Sequence, residues 1–594
     1  MAKNLMRTLL TASVACAALL VAGQSSNQAT VPLEQPASVL RVTTQLVVVD
    51  VVATDRKGAP VVDLKQDDFA VTEDGKPQSI RAFNFQGTAT STDSQLAVAK
   101  PAGNPLPPNV VSNVRRSKSG APLAILLLDG INTRLNNQDY AKQQLLEFLK
   151  KLPADQPIAV YLLGTKLRLI QDFTSDPNVL KAVVQNLKDF RSPLMENANG
   201  GPVKFWLEGM PLPAQVKQQV LQFQQETESS QADQRVAITL TALNQLARTL
   251  AGYPGRKNLI WVSETFPFVI VPNKVPVGQS AERARRNYTT AIATTASLIS
   301  NAQIAVYPVD ARGLMPTDLF NVAARYDERG DANGGRDGAQ AGRAMDDTAN
   351  ELMAARGTME KVAEETGGRA FYNRNDLGNA VRESIADGAT YYTLGYYPTN
   401  KSWDGHYRKI NIHVTRPGVT LRYRLGYYAL GHEEYARQSQ QHRDAEFSGT
   451  LSLDVPISTA LPFTAAVLPA SSGTANKTVV NFAVDAHALS FSPAESGKQR
   501  AGIECAVRVF RTDSTDKALQ TESDIIDANL PPESYDMVMR RRLPCRVELD
   551  LPAGEYLLRL GVRDNNTGLI GTANIQWTVP AAPADGQPPQ GKKN

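Results

Sequence analysis

Between residues 121 and 387, short apolar runs alternate with stretches of helical period, and this alternation restricts the fold more than any other feature of the chain. The runs are LAILLL (123–128), IAVYLL (158–163), LRLI (167–170), NLIWVS (258–263) and IAVYPVD (304–310). Most are continuous rather than alternating, as expected of strands buried on both faces. Between them the apolar residues return every three or four positions. In DPNVLKAVVQNLKDF, Leu180, Val183, Val184, Leu187 and Phe190 share one helical face, with Asp176 at the capping position and Pro177 at the first helical one. Further helices are expected near 137–152, 235–251, 280–301, 346–366 and 375–386, with a Gln-rich helical insertion at 192–232 and a short strand, RAFY, at 369–372. The pattern predicts an α/β, doubly wound (Rossmann-like), mainly parallel sheet covered on both faces by helices. Such sheets place ligands beyond the carboxyl ends of their strands. Asp129 closes the first run, Glu264 directly follows NLIWVS, and Asp310 ends a neighbouring strand, so all three fall at that edge.

The flanks read differently. LRVTTQLVVVDVVATD and FAVTEDGKPQSIRAFNF alternate apolar and polar residues, and the Asp74–Gly75 pair marks a tight hairpin. A second β segment spans 388–430. Segments 40–86 and 388–430 each hold few strands and would leave a sheet edge open, so they are expected to pair into one antiparallel sandwich with the α/β domain (121–387) inserted. Residues 87–120, rich in Ser, Thr, Pro, Gly and Ala, are expected to be a linker, 447–580 an Ig-like β-sandwich, and 581–594 a disordered tail. Several domains suit a chain of 594 residues.

At the start, Lys3 and Arg7 precede LLTASVACAALLVAG and then polar QSSNQAT, the pattern of an export signal cleaved after Gly23. Cys16 as a lipoprotein cysteine is the alternative, disfavoured by Ser13. No other run is long and apolar enough to cross a membrane. The expected location is therefore secreted, periplasmic or in the cell envelope. Removal of residues 1–23 would leave Cys505 and Cys545, expected as one disulfide, with two buried thiols as the alternative. A net charge of +4 with no basic stripe excludes nucleic acid as the expected partner.

The blocks VVVDVVATDRKGAPVVDLKQDDFAVTEDGKPQSI, LLLDGINT, GYPGRKNLIWVSETFP, VYPVDARGL, AEETGGRAFY and YYTLGYYPTNKSWDGHYRKINIHVTRPG, in that order, resemble the acidobacterial-type VWFA-related family. These are exported proteins with a von Willebrand factor type A domain, and the resemblance runs from about 40 to 430. Type A domains commonly hold Mg2+ at a metal-ion-dependent adhesion site. An Asp-x-Ser-x-Ser motif, a loop Thr and an Asp after the fourth strand supply hard oxygen ligands, and one place is left for a partner's carboxylate. Carried over, the resemblance puts Asp129 at the first Asp and Thr133 at the second Ser. Ile131 takes the first Ser's place and offers no ligand, and Ser263-Glu264-Thr265 stand where Thr-Asp-Gly is usual, so Glu264 replaces the Asp. The loop Thr would be Thr239 or Thr241, and Asn132, Ser263 and Thr265 would complete the binding face. The implied site is degenerate, and tight, weak and absent Mg2+ binding all stay open. The plainer role for Asp129 is to cap the following turn or to organise hydrogen bonds at the sheet edge.

Little in the sequence points to catalysis. The five histidines show no metal-ligand spacing, and no nucleophile elbow, dinucleotide fingerprint or phosphate loop occurs. The tyrosines of YYTLGYY fit cross-strand packing better than a carbohydrate platform, and the Gly/Asp-rich stretch 326–344 fits a mobile surface loop better than an EF-hand. The expectation is a non-enzymatic, exported protein-binding module for adhesion or assembly, acting through the carboxyl-end face. Alternatives are a metal-independent structural or assembly factor of the periplasm or cell surface, and, less favoured, a secreted hydrolase. The partner is expected to be a protein.

Overall fold

The computed structural model describes residues 46–87, 106–114, 123–152, 156–188, 192, 194, 212–266, 280–313, 353, 355–430, 435, 439–469, 477–515 and 517–580. The expected export signal, the 326–344 loop and the tail 581–594 lie outside the described residues, as do most of the linker and residues 195–211 of the expected insertion.

The central sheet has five strands in the order Ile304–Asp310, Lys257–Ser263, Leu123–Asp129, Ile158–Leu163, Leu167–Thr174. The first four run parallel and the last is an antiparallel edge strand. Strand alternation sends side chains into two apolar layers. Ala124, Leu126, Val160, Ile260, Val262 and Tyr307 pack with Leu145 and Phe148 of helix Leu135–Leu149, Leu180 and Val184 of helix Pro177–Gln185, and Val381 of helix Leu377–Asp387. Ile125, Leu127, Tyr161, Leu259, Trp261 and Val306 pack with Leu243, Leu246 and Leu250 of helix Ala214–Leu250 and with Ile299 of helix Ser280–Asn301.

Two expected elements differ. The Gln-rich segment is not a separate insertion from Ala214 onward, and the helix expected at 235–251 begins there instead, running unbroken to Leu250. Its 37 residues contain no Gly or Pro, and its Gln, Glu, Lys and Ala are strong helix formers, so polarity in its first half signals exposure rather than a boundary. RAFY forms no strand; Phe371 makes a single parallel bridge to Val309.

The β segments on either side of this domain interleave. Val47–Thr54 pairs with Tyr391–Tyr396 and Thr420–Arg422, and Tyr391–Tyr396 pairs with Ile80–Gln86. Phe69–Glu73 pairs with Asp404–Val414, which pairs with Gly426–Leu430. Each of the two four-stranded sheets therefore holds strands from both segments, and Val49, Val51, Val71, Tyr392, Leu394 and Ile412 fill the space between them. The hairpin at Asp74–Gly75 has φ of 48° and 79°, the left-handed pair that matches strand twist and that Gly75 accepts without strain. This module is tied to the amino ends of the central strands. The Arg256 N–H donates to Tyr391 Oη (2.9 Å), its guanidinium to Tyr307 Oη (3.1 Å) and the Gly367 carbonyl (2.6 Å), and Gln303 donates to Asp50.

In the C-terminal sandwich, Leu543–Asp550, Lys477–Val484 and Phe463–Pro469 face the sheet of Gln499–Arg511, Gly554–Asp564 and Ile570–Val579 across one apolar layer. Two expectations are corrected here. Residues 106–114 are not linker, because Val110–Ser112 adds a fourth strand beside Phe463–Pro469. Three residues are too short to show alternation within a Pro-rich stretch. Cys505 and Cys545 are not bonded; both are buried thiols, on opposite sheets.

Asn113 locks the added strand in place. Its amide donates to the carbonyls of Ser458 (3.1 Å) and Leu461 (2.9 Å), and its Oδ1 accepts the Phe463 N–H (2.8 Å). Asn113→Ala would strand these buried groups and is expected to lower the unfolding free energy by on the order of 3 kcal/mol in urea titration. A change within about 0.5 kcal/mol, the range of ordinary surface substitutions, would show the strand is not docked.

Candidate functional site

Asp129 ends its strand at the carboxyl edge and is almost fully buried. Strand alternation puts it in the layer of Ile125 and Leu127, beside the neighbouring strand's Trp261 and Ser263. Its Oδ1 accepts the Asn132 backbone N–H (3.0 Å) and side-chain amide (3.2 Å). Its Oδ2 accepts the same amide (2.9 Å), the Trp261 indole N–H (2.9 Å) and the Ser263 hydroxyl (3.0 Å). An ionised carboxylate offers about four lone-pair sites, so these contacts occupy its capacity. Burial pushes the carboxyl up to about 6, against the pull of the donors.

Glu264 is equally buried and serves a helix. Its Oε2 accepts the Arg134 backbone N–H (3.1 Å) and the Asn137 amide (2.9 Å), and its Oε1 pairs with the Arg134 guanidinium (2.7 Å). Arg134 occupies the cap position of helix Leu135–Leu149 and makes no side-chain cap bond, so the anion at the helix's positive end comes from the adjacent strand. An aspartate would stop about one C–C bond short, roughly 1.5 Å.

The other predicted residues tie these two centres together. Thr133 Oγ1 accepts the Glu264 N–H (3.2 Å), and its carbonyl accepts the Gln138 amide (2.6 Å). Thr265 Oγ1 donates to the Asn132 carbonyl (3.3 Å). Ser263 Oγ lies 2.8 Å from the Thr265 carbonyl, a second acceptor for its hydroxyl. Thr239, inside the long helix rather than in a loop, accepts the Asn132 amide (2.9 Å) and donates to the Arg235 carbonyl (2.7 Å). Thr241 is not part of the site: it lies on the exposed side of the same helix and bonds the Ala237 carbonyl. Ile131 is turned into the apolar layer. Asp310 is closed off by Arg312, through the guanidinium (2.8 Å to each oxygen) and the backbone N–H (3.0 Å).

Sequence reasoning missed Trp261, Arg134, Asn137 and Arg235. Trp261 was within reach, since it lies two residues before Ser263 on one strand face and a buried indole N–H needs an acceptor. Arg235 sits one helical turn before Thr239 and largely buried. Burial lowers its pKa and Arg134 lowers it further, whereas Asp129 and Glu264 raise it. Two guanidinium groups thus supply the positive charge that faces the two carboxylates.

These residues do not fit a magnesium ion. Such an ion needs oxygen lone pairs, and here N–H and O–H donors hold those of Asp129, a backbone and two side chains hold Glu264, and Ile131 presents carbon. Among the described residues no group of three or more His, Cys, Asp or Glu could hold a metal ion. The cleft beside Asp129, edged by Thr133, Gln138, Lys142 and Lys188, measures about 40 Å3. That holds a water and is far below the size of a small-molecule site.

No family model matches the chain, and no curated relative matches it. Among solved structures it is similar to an aerotolerance-related membrane protein from Bacteroides fragilis NCTC 9343, at 13% identity over 45% of this chain and 99% of that one, TM-score 0.23. It is also similar to BatB from Bacteroides thetaiotaomicron (13%, 45% and 99%, TM-score 0.18) and to a von Willebrand factor type A protein from Catenulispora acidiphila (9%, 78% and 68%, TM-score 0.20). Likenesses at TM-scores this low decide nothing about function, which rests on the chain's own geometry.

Two outcomes follow from the carboxylates. Glu264→Asp keeps the charge but withdraws it from the helix start, and is expected to destabilise the chain by about 1–2 kcal/mol in urea titration; no loss would refute the capping role. For Asp129, folding raises the pKa from 3.8 to about 6, so between these values the folded chain binds the extra proton. Its contribution to stability therefore falls as pH rises through that window, by roughly 3 kcal/mol at most, and is constant above it. The difference in unfolding free energy between the natural chain and Asp129→Asn should shift against the natural chain by that order from pH 4 to 7. A flat difference would contradict it.

Proposed function

We propose that this chain is an exported protein-binding or assembly module that acts through the carboxyl-end face of a type A-like domain without a metal ion. The observation that carries the reading is the saturation of Asp129 and Glu264 by donors of the chain itself. A metal-bridged grip on a partner's carboxylate needs open coordination positions, and this arrangement spends them on holding the sheet edge rigid. The face is built for presentation: its loops start from buried strands, and the flanking β-module is attached at the opposite, amino end. Enzymatic chemistry finds little support in the same place, because both carboxylates are engaged and the described histidines, His406, His413, His442 and His487, lie on elements outside the α/β domain. Among the described residues no helix is long and apolar enough to cross a membrane. Export rests on the pattern of residues 1–23.

Capture of a partner from the native cell envelope by the tagged full chain is expected to be equal in millimolar Mg2+ and in EDTA. It should weaken several-fold with Lys188→Glu, an exposed charge reversal at the cleft mouth. Capture abolished by EDTA and restored by Mg2+ would overturn the metal-independent reading, and capture indifferent to Lys188→Glu would move the binding surface elsewhere.

A further inference from the structure

The central strand is covered incompletely at its carboxyl end. In Leu123–Asp129 every residue is buried except Leu128, which is only half-buried although its strand lies in the middle of the sheet. Leu128 points into the layer of Ala124 and Leu126, where close packing normally leaves no gap. Among the described residues none closes over it at this end, and the space left is the cleft of about 40 Å3. Its walls are mostly carbon, from Leu128, Ala141, Leu162, Val184, Val262 and Ala311, and Lys142 and Lys188 stand at its rim. The space is large enough for a water but offers it little. A buried water needs about two to four polar partners, and the carbonyls around this cleft already accept hydrogen bonds. Gln138 donates to those of Gly130 (3.2 Å) and Thr133 (2.6 Å), and Lys142 to that of Leu187 (2.7 Å). The rim carries charge of one sign. Among the described residues that line the cleft, Asp129 is the single carboxylate, and its oxygens are held in the opposite layer by Asn132, Trp261 and Ser263.

We propose that this cleft is a socket for one small apolar side chain of a partner protein, alanine to valine in size, flanked by an acidic residue that Lys142 and Lys188 hold at the rim. The proposal rests on the carboxyl-end face being the binding surface, and it names the chemistry of what binds there. A methyl group is about the size of a water, so roughly one or two fit the space. Filling it restores the carbon contacts that Leu128 lacks, which makes the apolar side chain the anchor. The two ammonium groups select the neighbouring residue by charge, and their pull weakens as salt rises. A segment that is basic, or that offers no small apolar side chain, gains from one of these terms at most.

The test is saturation-transfer NMR of the folded full chain with two blocked dipeptides at millimolar concentration, N-acetyl-valyl-glutamate amide and N-acetyl-valyl-lysine amide. Transfer to the valine methyls of the glutamate peptide is expected, several-fold stronger than to those of the lysine peptide. Leu128→Phe and Ala141→Leu each grow carbon into the cleft and should remove the transfer while the thermal midpoint stays within a few degrees of the natural chain's. Either filled variant suffices where the other loses its fold. Lys188→Glu should reverse the order of the two peptides. No transfer to either peptide, equal transfer to both, or transfer that survives in a folded filled variant would overturn the socket. Capture from the cell envelope separates this proposal from the one beneath it. Capture lost with Lys188→Glu but kept with the filled variants overturns the socket alone, whereas capture kept with all of them removes the carboxyl-end face as the binding surface.

Discussion

A carboxylate enclosed at the end of a parallel strand has to be satisfied, and the local architecture follows from how Asp129 is satisfied. Leaving it without partners would carry a penalty of several kcal/mol. Four groups converge on it: the Asn132 amide, the backbone N–H of the turn, the Trp261 indole and the Ser263 hydroxyl. Meeting that demand fixes the turn at 130–133 and the end of the adjacent strand. It also brings Thr133 and Glu264 together, so that Glu264 reaches the first turn of helix Leu135–Leu149. Both carboxylates are thus met by amides, an indole, a hydroxyl and a guanidinium group of the chain itself.

The parallel sheet was legible because its strands are continuous apolar runs, and runs such as IAVYLL leave few alternatives once helical periods separate them. Asp129, Glu264 and Asp310 were legible as strand-end residues for the same reason. Their partners were not. Arg134 and Asn137 lie at the start of a helix whose register no periodicity announces to within a residue, and Arg235 lies over a hundred positions from Asp129, at the first position of the helix expected at 235–251. Thr239 and Thr241 were indistinguishable in sequence. Helix geometry separates them, since residues two apart point to nearly opposite sides. Val110–Ser112 was lost because a three-residue edge strand carries no periodic signal, and its only evidence is long-range pairing.

The β-modules share a construction principle. Strands from before and after the α/β domain pair within one sheet, as Val47–Thr54 does with Tyr391–Tyr396 and Val110–Ser112 with Phe463–Pro469. Neither module can complete its sheets until the chain beyond the central domain is made, so loss of either affects both flanks. Arg256 and Asp387 then fasten the first module to the amino ends of the central strands, Arg256 through its N–H to Tyr391 Oη and Asp387 through the Arg422 guanidinium. That attachment lies away from the carboxyl-end face and leaves the face's geometry to Asp129 and Glu264.

Isothermal titration of the folded full chain with Mg2+, repeated with Mn2+ as a spectroscopic stand-in, addresses the account most directly. Donors already hold the oxygens of both carboxylates, so no saturable binding is expected at millimolar metal and no change in Trp261 fluorescence. A single saturable site that quenches or shifts Trp261 emission and disappears with Asp129→Ala would contradict the account and restore a metal-dependent face.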